Sequence, residues 1–211
     1  MKTLGIIAQK GGAGKTTLSS HLAVRAGQAG LKVLVVDTDP QASATAWWRR
    51  RQEEAPALIQ SRGELLPEVL KTAAGQNYDL VVVDTAPHNS GEADATARHS
   101  DQVYIPTRPA ILDLDAIGAT TKLVASTGTE AKIVLNSCPP PTRHGEPHIV
   151  SEARQALGTY GIPVSEVAIS QRAAFSHALI DGRAVNEFDG RGKAAREIDS
   201  LWHTLREEMS L

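Results

Sequence analysis

The run Leu80-Val81-Val82-Val83-Asp84 is apolar without a break until it ends in a carboxylate. A strand with one wet face alternates apolar and polar residues, so an unbroken apolar run belongs to a sheet covered on both faces. The chain repeats this pattern in "TLGIIA" (3–8), "LKVLVVD" (31–37), a weaker "ALIQS" (57–61), "YDLVVVDTAP" (78–87), "QVYIPT" (102–107) and "AKIVLN" (131–136). Helical patterns separate the runs, the first from about Thr16 to Ala29. Strand–helix alternation predicts an α/β fold: a doubly wound, mostly parallel sheet with helices on both faces. At 211 residues and 41% hydrophobic content, one domain covering 1–211 is expected. The only Pro-rich stretch, "CPPPTRHGEP" (138–147), reads as a surface loop.

Ligands of such sheets bind beyond the carboxyl ends of the strands. Residues with chemistry gather there: Lys10 to Thr17, Asp37 to Gln41, and Asp84 to Pro87. Glycine turn, Gly14-Lys15-Thr16 and helix form the context of a phosphate-binding loop. Backbone N–H groups over Gly11, Gly12, Ala13, Gly14, Lys15, Thr16 and Thr17 would hold phosphate oxygens. Lys15 would reach the β- and γ-phosphates, and the Thr16 hydroxyl would ligate Mg²⁺. The strict pattern wants glycine at position 9, where this chain has Gln9, and the bland alternative is a chance glycine turn. Asp84 ends its strand where a carboxylate can orient Mg²⁺ and its waters, although a strand ending in aspartate is common in α/β enzymes. Asp37 closes the second strand, and Asp39 lies on the loop after it. Asp39 is placed to accept a hydrogen bond from an attacking water; alternatively, preceding Pro40, it caps the next helix.

Three segments, "KGGAGKTT", "VVDTDPQASA" and "VVVDTAP", resemble in order and spacing the ParA/MinD family of deviant Walker A P-loop ATPases. The similarity is nearest to short ParF-like partition proteins without an N-terminal DNA-binding extension. It extends through "IPTRPAILDLDA", "LNSCPPPTR" and "RAAFSHALIDGRAVNEFDGRGKAAREIDSLW". The resemblance implies an Mg²⁺-dependent ATPase that forms an ATP-sandwiched homodimer. Lys10 would be the signature lysine reaching the ATP of the other subunit. Asp39 would position the hydrolytic water, Asp37 would support Mg²⁺ and Thr16, and Asp84 would be the Walker B carboxylate. Asn136 resembles the position that reads the adenine edge, and Asp113 a loop near the dimer interface. The chain departs from the family at "DTAPH", where Ala86 and His88 replace the usual second proline and its neighbour.

The resemblance further implies nonspecific duplex DNA binding by the ATP dimer and release when a ParB-like centromere-binding partner stimulates hydrolysis. Phosphate contacts need lysine and arginine. Arg172, Arg183, Arg191, Lys193 and Arg196 outnumber Asp181, Glu187 and Asp189 in one segment of a chain whose formal charge is −2. Arg172 is the first candidate. In "WWRRR" (47–51), Trp47 and Trp48 are expected to pack, while Arg49 to Arg51 are either helix surface or a DNA or partner contact.

A MinD-like membrane-cycling ATPase is the rival reading. The C-terminal helix has Ile198, Leu201, Trp202, Leu205 and Met209 on one stripe. Its polar side carries Glu197, Asp199, Glu207 and Glu208, which anionic lipid repels, so core packing is expected. Cys138 is the only cysteine, so neither a disulfide nor a cysteine-ligated cluster forms within one chain, which argues against a nitrogenase iron-protein type. No signal peptide is read at the N-terminus, and no apolar run reaches the roughly 20 residues of a membrane span. A cytoplasmic, nucleoid-associated protein is expected.

Overall fold

The computed structural model describes residues 1–143 and 145–211. Its strands are β1 (Lys2–Ile6), β2 (Val33–Asp37), β3 (Ala57–Gln60), β4 (Leu80–Asp84), β5 (Gln102–Thr107) and β6 (Ala131–Leu135). They form one sheet in the order β3-β2-β4-β1-β5-β6, with every pairing parallel. The helices between and after them are α1 (Lys15–Gln28), α2 (Ser43–Trp48), α3 (Leu66–Gly75), α4 (Ser90–Arg98), α5 (Ile111–Thr127), α6 (His148–Leu157), α7 (Ala173–Ile180), α8 (Val185–Phe188) and α9 (Lys193–Met209).

Successive strand residues face opposite sides of a sheet, and the apolar runs supply both. Val33, Val35, Leu80 and Val82 join Leu4 and Ile6 against Leu18 and Leu22 of α1 and Ile198, Leu201 and Trp202 of α9. Their neighbours Leu34, Val36, Val81 and Val83 face the other way, onto Leu66 and Ala73 of α3. Val103, Ile105, Ile133 and Leu135 continue that second face beneath α4, α5 and α6. Each fully buried valine or leucine contributes roughly 1.5–3 kcal/mol. The unbroken runs therefore make the two-sided burial stable, where alternating strands would leave one face wet. β3, the weaker run, is the half-exposed edge strand.

The apolar stripe of α9 lies in the core, with Ile198, Leu201, Trp202, Leu205 and Met209 all buried. Among the described residues no helix is long and apolar enough to cross a membrane. Pro139, Pro140 and Pro141 are exposed, as expected of a surface loop, and Cys138 is buried; His144 of that stretch lies outside the described residues. Register places Asp84 beside Ile6 of β1 on one side and Asp37 of β2 on the other. The carboxyl ends of β1, β2 and β4 thus meet at one point, and the site stands there.

Candidate functional site

The loop leaving β1 turns on two left-handed glycines, Gly12 (φ 75) and Gly14 (φ 98), a conformation that side chains resist. Gly14 is the N-cap of α1 and, lacking a side chain, offers no cap of its own, so the first-turn N–H groups of α1 are free of a side-chain acceptor among the described residues. Unsatisfied N–H groups at a helix start, with the helix dipole behind them, favour an anion. Lys15 opens this helix and is buried, only 7% exposed. Burial lowers its pKa, and the nearby Asp84 and Asp39 carboxylates partly restore it.

Asp84 is wholly buried. Its Oδ2 accepts from the Thr16 hydroxyl at 2.7 Å and its Oδ1 from the Ser19 hydroxyl at 3.0 Å. Burial pushes its pKa up to about 7, with Asp37 adding to the rise and the two hydroxyls and Lys15 opposing it. A carboxylate that holds its proton this strongly is short of positive charge. An oxygen-rich spot of this kind suits a hard divalent cation, so the residues present fit Mg²⁺.

Asp37 is also wholly buried. Its Oδ2 accepts from the backbone N–H and hydroxyl of Thr45 at 2.8 and 2.7 Å, and its Oδ1 accepts from the Asp39 N–H at 3.1 Å. It anchors the start of α2, whose own N-cap position, Ala42, has no side-chain acceptor. Asp39 accepts from the Gln41 N–H at 2.8 Å, so it shapes its own turn ahead of α2. Its charge still reaches both Lys15 and Glu92. Sequence reasoning missed Glu92, whose pKa is raised by burial, Asp39 and Glu64. The signal was present: Asn89 accepts from the Glu92 N–H at 3.2 Å, the spacing of a helix-start capping pair.

The two lysines of the loop diverge. Lys10, about a third exposed, donates to the Leu112 carbonyl at 3.3 Å and lies 3.7 Å from Asp113. Asp113 also pairs with Arg108 at 3.2 Å. Gln9, at the position of the missing glycine, is held from two sides: its N–H donates to the Thr120 hydroxyl, and its carbonyl accepts from the His88 N–H at 3.0 Å. His88 therefore meets the loop through its backbone, in a left-handed conformation (φ 57), with its ring exposed. Gly11 and Thr17 lie on the loop and the first turn of α1. Asn136, just beyond β6, is buried and donates to the Ala13 carbonyl at 2.8 Å, so its amide is turned to the loop.

The cations expected to face DNA have unequal surroundings. Arg172 is mostly buried and donates to Glu197 through Nε and Nη2 at 3.0 and 2.7 Å, so its charge is matched within the fold. Arg183 pairs with Asp181 at 2.6 Å and lies over the Phe188 ring. Arg191, Lys193 and Arg196 are exposed, with Arg196 donating to the Arg191 carbonyl. In "WWRRR", Trp47 is buried and donates to the Arg183 carbonyl, and Trp48 donates to the Pro56 carbonyl. Arg49 and Arg50 are exposed, while the Arg51 side chain is 2% exposed and paired with Glu187.

The chain is similar to known proteins in sequence and in fold. The maintenance of carboxysome distribution protein A of Gloeobacter kilaueensis is 36% identical over 212 residues, covering 99% of this chain and 94% of that protein. ParA of Rhizobium radiobacter is 27% identical over 186 residues, 83% of this chain and 81% of its own. Among solved structures, apo McdA from Cyanothece superposes with a TM-score of 0.81 at 18% identity, covering 97% of this chain and 99% of that one. The cell division ATPase MinD of Pyrococcus furiosus gives 0.78 at 20% identity, covering 98% of each. At such identities these structures speak for the fold alone. Residues 4–185 match the CobQ/CobB/MinD/ParA nucleotide binding domain, and the chain belongs to that family.

Proposed function

We propose that the chain hydrolyses ATP to ADP and phosphate with Mg²⁺ and closes on ATP as a homodimer. In that state it binds duplex DNA without sequence preference, until a ParB-like partner stimulates hydrolysis and releases it. This cycle would place it on the nucleoid and position a large body there. Relatives are named for carboxysome distribution and for plasmid or chromosome partitioning, so the body is a carboxysome-like particle, a plasmid or a chromosome. The observation that carries the reading is the buried Asp84 bonded to Thr16 and Ser19 beside a desolvated Lys15.

Each residue has a part the geometry supports. The loop N–H groups and Lys15 bind the triphosphate and offset its charge. Thr16 and Asp84 would hold Mg²⁺, with Asp37 keeping α2 and the Asp39 turn in place. Bound Mg²⁺ supplies charge neutralisation at the phosphate oxygens. Asp39, fixed through Gln41, would accept a hydrogen bond from water. That water's oxygen bonds to the γ-phosphorus, the bond from that phosphorus to its bridging oxygen breaks, and ADP leaves with the electron pair. Lys10 is engaged by the Leu112 carbonyl and Asp113 of α5, whereas Lys15 is buried in its own loop, which suits a lysine that serves another subunit. Membrane cycling is not favoured, since the α9 stripe that would enter lipid is inside the core.

A mobility shift on nonspecific duplex, run beside turnover and size measurements, tests the reading. Wild type should shift DNA with ATP and not with ADP. Asp39→Ala should keep the ATP-dependent dimer and shift while turnover falls by about 10²-fold or more. Lys10→Ala should still bind ATP but lose the dimer. Equal DNA shifts in ATP and ADP would sink the cycle, and normal turnover by Asp39→Ala would remove the role given to that carboxylate.

A further inference from the structure

Two hydroxyls of α1 reach one carboxylate. Leu80 and Val82 pack against α1, and Asp84, two residues further along β4, faces the same way. Thr16 and Ser19 are three residues apart, so they share one face of α1. The Thr16 hydroxyl donates to Asp84 Oδ2 at 2.7 Å and the Ser19 hydroxyl to Oδ1 at 3.0 Å. Ser19 is fully buried, and among the described residues Oδ1 has no other donor. Ser19 Oγ also lies 2.9 Å from the Lys15 carbonyl. A hydroxyl has a single proton to give. The Lys15 carbonyl already accepts in the helix ladder, so the charged carboxylate has the stronger claim on that proton.

From this pair of bonds we propose that Ser19 is a positioning residue for the divalent cation, acting through Asp84 by fixing the plane of its carboxylate. The last torsion of an aspartate is soft, so a single bond at Oδ2 leaves the carboxylate free to rock about it. The second bond, at Oδ1, stops that motion. With the plane fixed, the Thr16 proton stays on Oδ2 and the Thr16 lone pairs are left for a cation. The neighbouring Asp37 does not compete for these donors, because Thr45 and the Asp39 N–H occupy both its oxygens. Groups that orient a metal-binding carboxylate govern metal affinity although they never touch the ion. The inference deepens the ATPase reading and rests on it.

The test is the affinity for a fluorescent ATP analogue in Mg²⁺ and in EDTA, taken as a ratio. Ser19→Ala should lower that ratio by about tenfold, or to unity where wild type spans less, and leave the affinity in EDTA unchanged. In an Asp84→Asn background, Ser19→Ala should change the ratio no further, because the group it positions has gone. A residue that only joins α1 to β4 would move both affinities together and leave the ratio alone, and that result overturns the proposal. A ratio lowered by the same factor in both backgrounds overturns it equally. A wild-type chain that binds the analogue equally well in Mg²⁺ and EDTA would bring down the cation assignment of Thr16 and Asp84. One that binds in neither would bring down the ATPase reading itself, and each result takes this proposal with it.

Discussion

Two regions of the molecule bury charged side chains and treat them in opposite ways. Around Arg51 every demand is met: the guanidinium donates to the Ala55 and Gly182 carbonyls and to both Glu187 oxygens, and it lies over the Trp47 ring. Gly182 permits the close approach of the two segments, since a Cβ there would meet the Arg51 backbone nitrogen at 2.4 Å. Around Lys15 and Asp84 the balance is poor. One group is desolvated, the other holds its proton to about pH 7, and a second buried carboxylate stands beside it. Saturated burial marks a staple between elements, here the end of α2 and the α7–α8 turn. Unsaturated burial marks a place arranged for something else to complete. Cleft size points the wrong way, because a cleft of about 900 Å³ opens beside Arg50, Arg51, Gly182 and Glu187 and includes none of the phosphate-loop residues in its lining.

Breaking the staple should have the largest effect. Arg51→Ala removes a buried guanidinium from the Ala55 and Gly182 carbonyls and leaves the half-buried Glu187 with the Ala184 N–H, and should cost about 3 kcal/mol or more in urea unfolding. ATP affinity of the folded fraction should stay the same; a matching loss of affinity would mean that the two regions are one. Changing the other region should do the reverse. Native Asp84 titrates near 7 and the unfolded residue near 3.8. The native state therefore binds the extra proton between those values, and stability falls as pH rises from about 4 to 7. Asp84→Asn removes that slope and should stabilise the ligand-free protein at pH 8 by on the order of 1–3 kcal/mol while abolishing turnover. A destabilised Asp84→Asn protein at pH 8 would show the carboxylate to be a staple as well.

The smallest expected effect is at His21, which lies between the two types. Its Nδ1 accepts from the Val185 N–H at 3.2 Å, while Nε2 has no partner among the described residues. Burial lowers its pKa to about 3 from 6.5, so the unfolded state takes up a proton first and stability falls as pH drops from about 6.5 towards 3. This slope opposes that of Asp84 over most of the acid range. His21→Gln should remove the loss of stability on acidification and leave the Asp84 slope unopposed, so that stability falls more steeply as pH rises from about 4 to 6.5 in thermal melts; an unchanged profile would place His21 among the satisfied groups.

Much of the fold was legible because two-sided burial leaves a one-dimensional trace. Leu80 to Val83 and Val33 to Val36 needed no knowledge of their partners to be read as interior strands. The glycine turn and Gly14-Lys15-Thr16 were legible for a similar reason, since the geometry they require is local. Partnerships across the fold were not. Arg49, Arg50 and Arg51 are the same letter with different surroundings, decided by Gly182 and Glu187 far along the chain. The pairing of Arg172 with Glu197, and the bond from Asn136 to Ala13, were hidden for the same reason.

The strand order has a consequence for synthesis. β1 is made first, yet it lies inside the sheet, with β4 and β5 as its neighbours. A nascent chain that has passed Thr17 carries the whole glycine turn but has nothing to hold β1, and the carboxylate that receives Thr16 arrives only with Asp84. The Asn136 amide comes later still, and α9, which covers β1, comes after that. The phosphate loop is therefore made long before the residues that hold it, and a chain arrested before Asp84 lacks the carboxylate that receives Thr16.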